Sequence, residues 1–95
     1  MEHEPVEYPL DGILDLHMFK PEDVKSVLEE YLTECRHAGI LTVRIIHGKG
    51  VGTLRNIVHA YLKSSPMVRE FSTAPDSSGW GATIAILEPE GKKQD

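Results

Sequence analysis

The sequence predicts an α/β protein: a single two-layer α/β sandwich of β-α-β-α-β-β order, with about four strands and two helices packed on the sheet. Two observations predict it. Short β-branched or alternating runs (14–17, 40–46, 68–72, 82–87) carry the period of strands, and two longer segments (21–37 and 53–64) carry apolar stripes at helical spacing. At 95 residues with 40% hydrophobic residues, the chain has enough material for one core and too little for two. The expected division is an arm over 1–10, a domain over 11–88 and a disordered tail over 89–95.

Residues 1–9 are acidic, contain Pro5 and Pro9, and show no periodicity, as expected of a loosely attached arm. From Leu14 the chain alternates, sending Leu14 and Leu16 to one face of a strand and Asp15 and His17 to the other. Lys20-Pro21-Glu22-Asp23 is a helix start. Proline tolerates the first turn, where its missing N–H has no partner to lose, and acids there oppose the positive end of the dipole. Val24, Val27, Leu28, Tyr31, Leu32 and Cys35 form one stripe, and Gly39 is the expected residue just past the helix end. Cys35 therefore reads as a small core hydrophobe, not a nucleophile.

Residues 40–46 contain one charge, Arg44, and predict an inner strand covered on both faces. They run into His47-Gly48-Lys49-Gly50-Val51-Gly52, after which Leu54, Ile57, Val58, Tyr61 and Leu62 define the core stripe of a second helix. Arg55, His59 and Lys63 fall on its other face, and Pro66 follows its end. A short strand over 68–72, a loop over 73–81 and a last strand over 82–87 complete the order.

The net charge of −5 is unevenly spread. Between Arg36 and Arg69 there are six basic residues and no acid, leaving −11 for the rest of the chain. Such a block is either a solvated face or a surface for an anionic ligand. A lone cysteine excludes an internal disulfide and any cluster of thiolates, and the first residues lack the pattern of a secretory signal, so a cytoplasmic location is expected, with no membrane partner.

The chemistry concentrates at two places. Ligands of open α/β sheets gather beyond the carboxyl ends of parallel strands, which is expected to bring His17 and His47 to one edge. Asp15 and His17 then read either as a hydrogen-bonded polar pair or as an acid–base pair. The glycine loop can turn tightly and offer amides at a helix start, so Gly48, Lys49, Gly50, Gly52 and Arg55 are candidate phosphate contacts. Its spacing matches neither a Walker loop nor a dinucleotide fingerprint, so no nucleotide cofactor is expected. No serine or threonine sits in a nucleophile elbow, and Trp80 reads as either a base-stacking platform or an apolar plug.

Leu14-Asp15-Leu16-His17, His47-Gly48-Lys49-Gly50, Leu54-Arg55, Pro66-x-Val68 and Gly79-x-Gly81-Ala82-Thr83, in this order, resemble the Smr (small MutS-related) domain family over about 14–87. The resemblance implies a nucleic-acid endonuclease that cleaves or nicks RNA, here favoured, or DNA, in some relatives on messenger RNA at stalled ribosomes. It places catalytic roles on Asp15, His17 and His47, and nucleic-acid contacts on the glycine loop. The sequence departs from the family pattern in carrying Met18-Phe19 where a glycine commonly follows the first histidine. The length leads us to expect a stand-alone member, monomeric by default. The alternative is a non-catalytic RNA-, DNA- or ribosome-binding module. RNA cleavage needs no metal because the 2′-hydroxyl is an internal nucleophile. DNA cleavage needs an activated water, for which Asp15 with the histidines could hold a divalent ion.

Overall fold

The computed structural model describes residues 10–48, 52–74 and 81–90. The readings made above for residues 1–9, Lys49, Gly50, Trp80 and residues 91–95 lie outside them. The elements follow in the order β1 (Ile13–Asp15), α1 (Pro21–His37), β2 (Thr42–Ile46), α2 (Thr53–Ser64), β3 (Val68–Thr73) and β4 (Ala82–Leu87).

These strands form one mixed sheet in the spatial order β1-β2-β4-β3. β1 and β2 are parallel, with Leu14 opposite Ile45 and Asp15 opposite Ile46. β4 lies antiparallel to β2 and to β3, so β1, β2 and β3 share a direction and β4 is threaded between the last two. Each helix is thus the crossover between two strands of the same sense.

Both helices lie on one face of the sheet. Val24, Leu28, Tyr31, Leu32 and Cys35 of α1 and Val58 and Leu62 of α2 share a core with Leu14, Leu16, Val43, Ile45, Ala85 and Leu87, which alternation places on a common face. The two-layer prediction holds, and the prediction that 40–46 is covered on both faces does not. β2 is central in the hydrogen-bonding direction, yet its outward residues Thr42, Arg44 and Ile46 are only half-covered or exposed. An antiparallel neighbour on one side lets a central strand leave one face open, and the β-branched run alone does not distinguish the two cases.

α1 begins at Pro21 with Glu22 and Asp23 in its first turn and ends with Arg36 and His37 in its last. Gly39 follows at φ +82°, the left-handed conformation that glycine reaches most cheaply. The C-terminal end of α1 also holds the chain leaving β4. Arg36 Nε donates to the Glu88 carbonyl at 2.8 Å, and His37 Nδ1 meets the Glu90 carboxylate at 3.1 Å. Pro89 and Glu90, the first residues of the expected tail, are therefore tied to α1.

Arg36 is thus engaged with the chain leaving β4, and Arg69 leans towards Glu88 at 3.7 Å. The basic block is not a single patch. Among the described residues, no helix is long and apolar enough to cross a membrane.

Candidate functional site at the carboxyl edge of the parallel strands

The edge where β1 and β2 end carries two groups of polar side chains. On the outer side, the chain past β1 makes a tight turn in which the Phe19 N–H donates to the Leu16 carbonyl at 2.9 Å. Within it, Asp15 Oδ1 accepts the His17 backbone N–H at 3.0 Å and the His17 ring Nδ1–H at 2.7 Å. These two bonds, the backbone one first, hold the Asp15 carboxyl below the ordinary carboxylate value of 3.8. A carboxylate that takes Nδ1–H leaves Nε2 of the neutral ring as the basic atom. The His17 side chain is 63% exposed, so that atom is accessible.

On the helix-covered side, the Leu16 N–H donates to the Ile46 carbonyl at 2.8 Å, continuing the parallel ladder and setting Leu16 beside His47. Both face the core: Leu16 is fully buried and His47 nearly so. His47 Nδ1 lies 3.1 Å from the Gly48 carbonyl and Nε2 lies 2.8 Å from Thr83 Oγ1. The same Thr83 oxygen is 2.8 Å from Nε2 of His59, which stands edge-on to Phe71. Burial is the first cause that pushes both imidazoles below their ordinary value of 6.5, and the positive charge of Arg55 pushes the same way at each.

The expected convergence of His17 and His47 is therefore only partial. They share the sheet edge, but strand alternation turns His17 outward and His47 inward. Asp15 and His17 are brought together; His47 joins His59 and Thr83 instead. Sequence reasoning gave His59 to a polar helix stripe and assigned Thr83 no role. Spacing along a helix cannot reveal a partner on a strand 24 residues away.

The glycine loop enters α2 through two left-handed glycines, Gly48 at φ +83° and Gly52 at φ +91°. The His47 and Gly48 amides both donate to the Gly81 carbonyl at 2.9 Å, which fastens the loop's first residues to the chain entering β4. The Gly48 amide is thus committed within the fold. Beyond it, Gly52 caps α2 with no side-chain hydrogen bond, and the first turn of α2 has no acid. No acid of the helix's own first turn offsets its positive end, and exposed Arg55 stands one turn in. Met18, at the third position of the turn after β1, is 79% exposed. Phe19 packs against the core instead. The substitution of this pair for the family's glycine leaves the Asp15–His17 contact intact.

The chain is thus an α/β domain with a mixed sheet and, at one edge, an acid–imidazole pair and a glycine-led helix start. A family model for the Smr domain matches residues 14–88, so the chain belongs to the Smr domain family. The Endonuclease MutS2 of Thermomicrobium roseum is 41% identical over 68 residues, covering 70% of this chain and 9% of that protein. Its counterpart in Carboxydothermus hydrogenoformans is 40% identical over 76 residues, covering 79% and 10%. The crystal structure of the Smr domain of Thermus thermophilus MutS2 matches with a TM-score of 0.77 at 32% identity, over 81% of this chain and 98% of that one. YdaL, a stand-alone small MutS-related protein from Escherichia coli, matches with a TM-score of 0.75 at 26% identity, over 85% and 67%. The chain spans about a tenth of the length of the MutS2 proteins it matches.

Proposed function

We propose that this domain is a phosphodiester endonuclease acting on nucleic acid, with RNA preferred to DNA. The observation that carries the reading is the Asp15–His17 contact of 2.7 Å on an exposed sheet edge, in a chain related to proteins named as endonucleases. Asp15, held as a carboxylate, fixes the His17 tautomer, and Nε2 faces outward as general base. On RNA, Nε2 takes the 2′-hydroxyl proton as the 2′-oxygen bonds to phosphorus. The bond to the 5′-oxygen breaks, and that oxygen takes a proton from solvent. The dyad suffices because the substrate brings its own nucleophile, placed by its own covalent geometry. The start of α2, Arg55 and Lys49 would hold the phosphate. His47, with both ring nitrogens engaged inside the fold, supports the loop in this reading and does not exchange protons with substrate.

The test uses purified wild-type protein, the His17→Ala variant and the Asp15→Ala/His17→Ala double variant with labelled single-stranded RNA, with and without divalent metal. Wild type cleaves and neither variant does, while His17→Ala keeps RNA affinity nearly intact. Loss of affinity together with cleavage in a folded His17→Ala protein overturns the division of roles.

One observation favours a second reading, a non-catalytic nucleic-acid or ribosome-binding module: the exposed Met18 side chain stands beside His17, where a glycine would leave the approach open. Binding without cleavage by wild type would establish it. In both readings Arg55→Ala weakens binding alike across RNA sequences and lowers its salt dependence by about one unit of slope. Affinity that ignores salt excludes a phosphate-held complex.

A further inference from the structure

The proposed catalytic pair does not use the cluster on the inner side of the edge, His47, Thr83 and His59, whose hydrogen bonds admit one arrangement of protons. The Gly48 carbonyl can only accept, so Nδ1 of His47, 3.1 Å away, carries a hydrogen. In a neutral ring Nε2 is then an acceptor, and its partner at 2.8 Å, Thr83 Oγ1, must donate. A threonine hydroxyl has one hydrogen. Having given it to His47, Thr83 can only accept from His59, so Nε2 of His59, also at 2.8 Å, carries a hydrogen. Protons therefore point one way, from His59 through Thr83 and His47 to the Gly48 carbonyl. Thr83 is fully buried, so in the intact fold its hydroxyl takes its partners from the two rings and not from water.

We propose that His59 is a positioning residue: acting through Thr83, it holds His47 as the Nδ1–H tautomer and so fixes the Gly48 peptide at the entrance to the glycine loop. His47 is nearly buried and His59 partly so, and the lowered proton affinity of both rings fits this assignment, since a second proton on His47 would aim two donors at Thr83 and leave the hydroxyl hydrogen without its acceptor. Burial first, and then the positive charge of Arg55, one turn before His59 on α2, disfavour that proton. The edge-on contact with Phe71, ring centres 5.1 Å apart, sets the plane of the His59 ring. The functional consequence rests on the reading of the loop as a phosphate contact; the proton arrangement does not.

Long-range nitrogen–proton NMR on labelled wild-type protein decides the arrangement directly. His47 is expected to show a protonated Nδ1 and a bare Nε2, and His59 the reverse. A protonated Nε2 on a neutral His47 overturns the proposal, whatever the protein cleaves. The variants His59→Leu and Thr83→Val remove a donor and should lower the Nδ1–H fraction of His47 and move the Gly48 amide resonance. Their partners His59→Gln and Thr83→Ser keep the donor and should restore both. RNA affinity should fall about tenfold in the first pair and recover in the second, the size expected when a group that orients another is removed. Equal losses in all four folded variants mean a packing role only and overturn the proposal. The expected tautomers with no RNA binding by any protein would defeat the nuclease reading and leave the positioning role standing.

Discussion

Asp15 Oδ1 is asked to hold two donors, a backbone N–H and an imidazole N–H, and a full negative charge strengthens both bonds. Asp15→Asn keeps the size and one acceptor oxygen but removes the charge that favours Nδ1–H on His17. The expected outcome is a folded protein whose RNA cleavage falls about 10²- to 10³-fold with little change in affinity, within the range usual for general base catalysis. Single-turnover cleavage beside a binding titration checks this; full cleavage by Asp15→Asn removes Asp15 from the mechanism. His59 and Thr83 belong to the same scale, yet neither announces itself in the sequence. Their meeting depends on the register of β4 against β2 and on how α2 lies over both.

Among elements, β1 is the most exacting, being a strand of three residues that among the described residues pairs with β2 alone. Gly12 anchors its start: its N–H donates to the Tyr31 hydroxyl at 3.1 Å, and its carbonyl accepts the Arg44 N–H at 2.7 Å. Its φ of +86° disfavours any side chain, and a Cβ there would come within 3.0 Å of the Thr42 carbonyl oxygen. Gly12→Ala should destabilise the fold by about 1–3 kcal/mol, read as a lowered urea midpoint. An unchanged midpoint would mean that β1 shifts at no cost. The sequence shows the strand but not this constraint, because the Thr42 carbonyl approaches from 30 residues away. The helix starts and stops, by contrast, were legible at Pro21 and Gly39, where the cause is local. The placing of β4 between β2 and β3 was not, since nothing in a run of alternating apolar residues specifies its neighbour.

For the whole molecule, the unevenly spread charge resolves into structural and solvent-facing parts, and the histidines make its stability pH-dependent. His47 and His59 have folded values below 6.5, so their contribution is fully present above 6.5, where both states leave them neutral. As the pH falls through 6.5 and towards the lower folded values, the unfolded chain takes up protons that the folded one resists, and the contribution is lost. His37 has the opposite sign: Glu90 raises its folded value, so its contribution is present below 6.5 and is lost as the pH rises. That pair is on the surface and is worth little. Asp15 matters only in stronger acid, its contribution being present above 3.8 and lost as the pH falls through its lower folded value. The expected outcome is a urea midpoint lower at about pH 5.5 than at about pH 7.5, with the difference reduced in His59→Gln. A midpoint that rises on acidification would show that the exposed His37–Glu90 contact outweighs the His47 and His59 rings, reversing the assignment of where the protein resists protons.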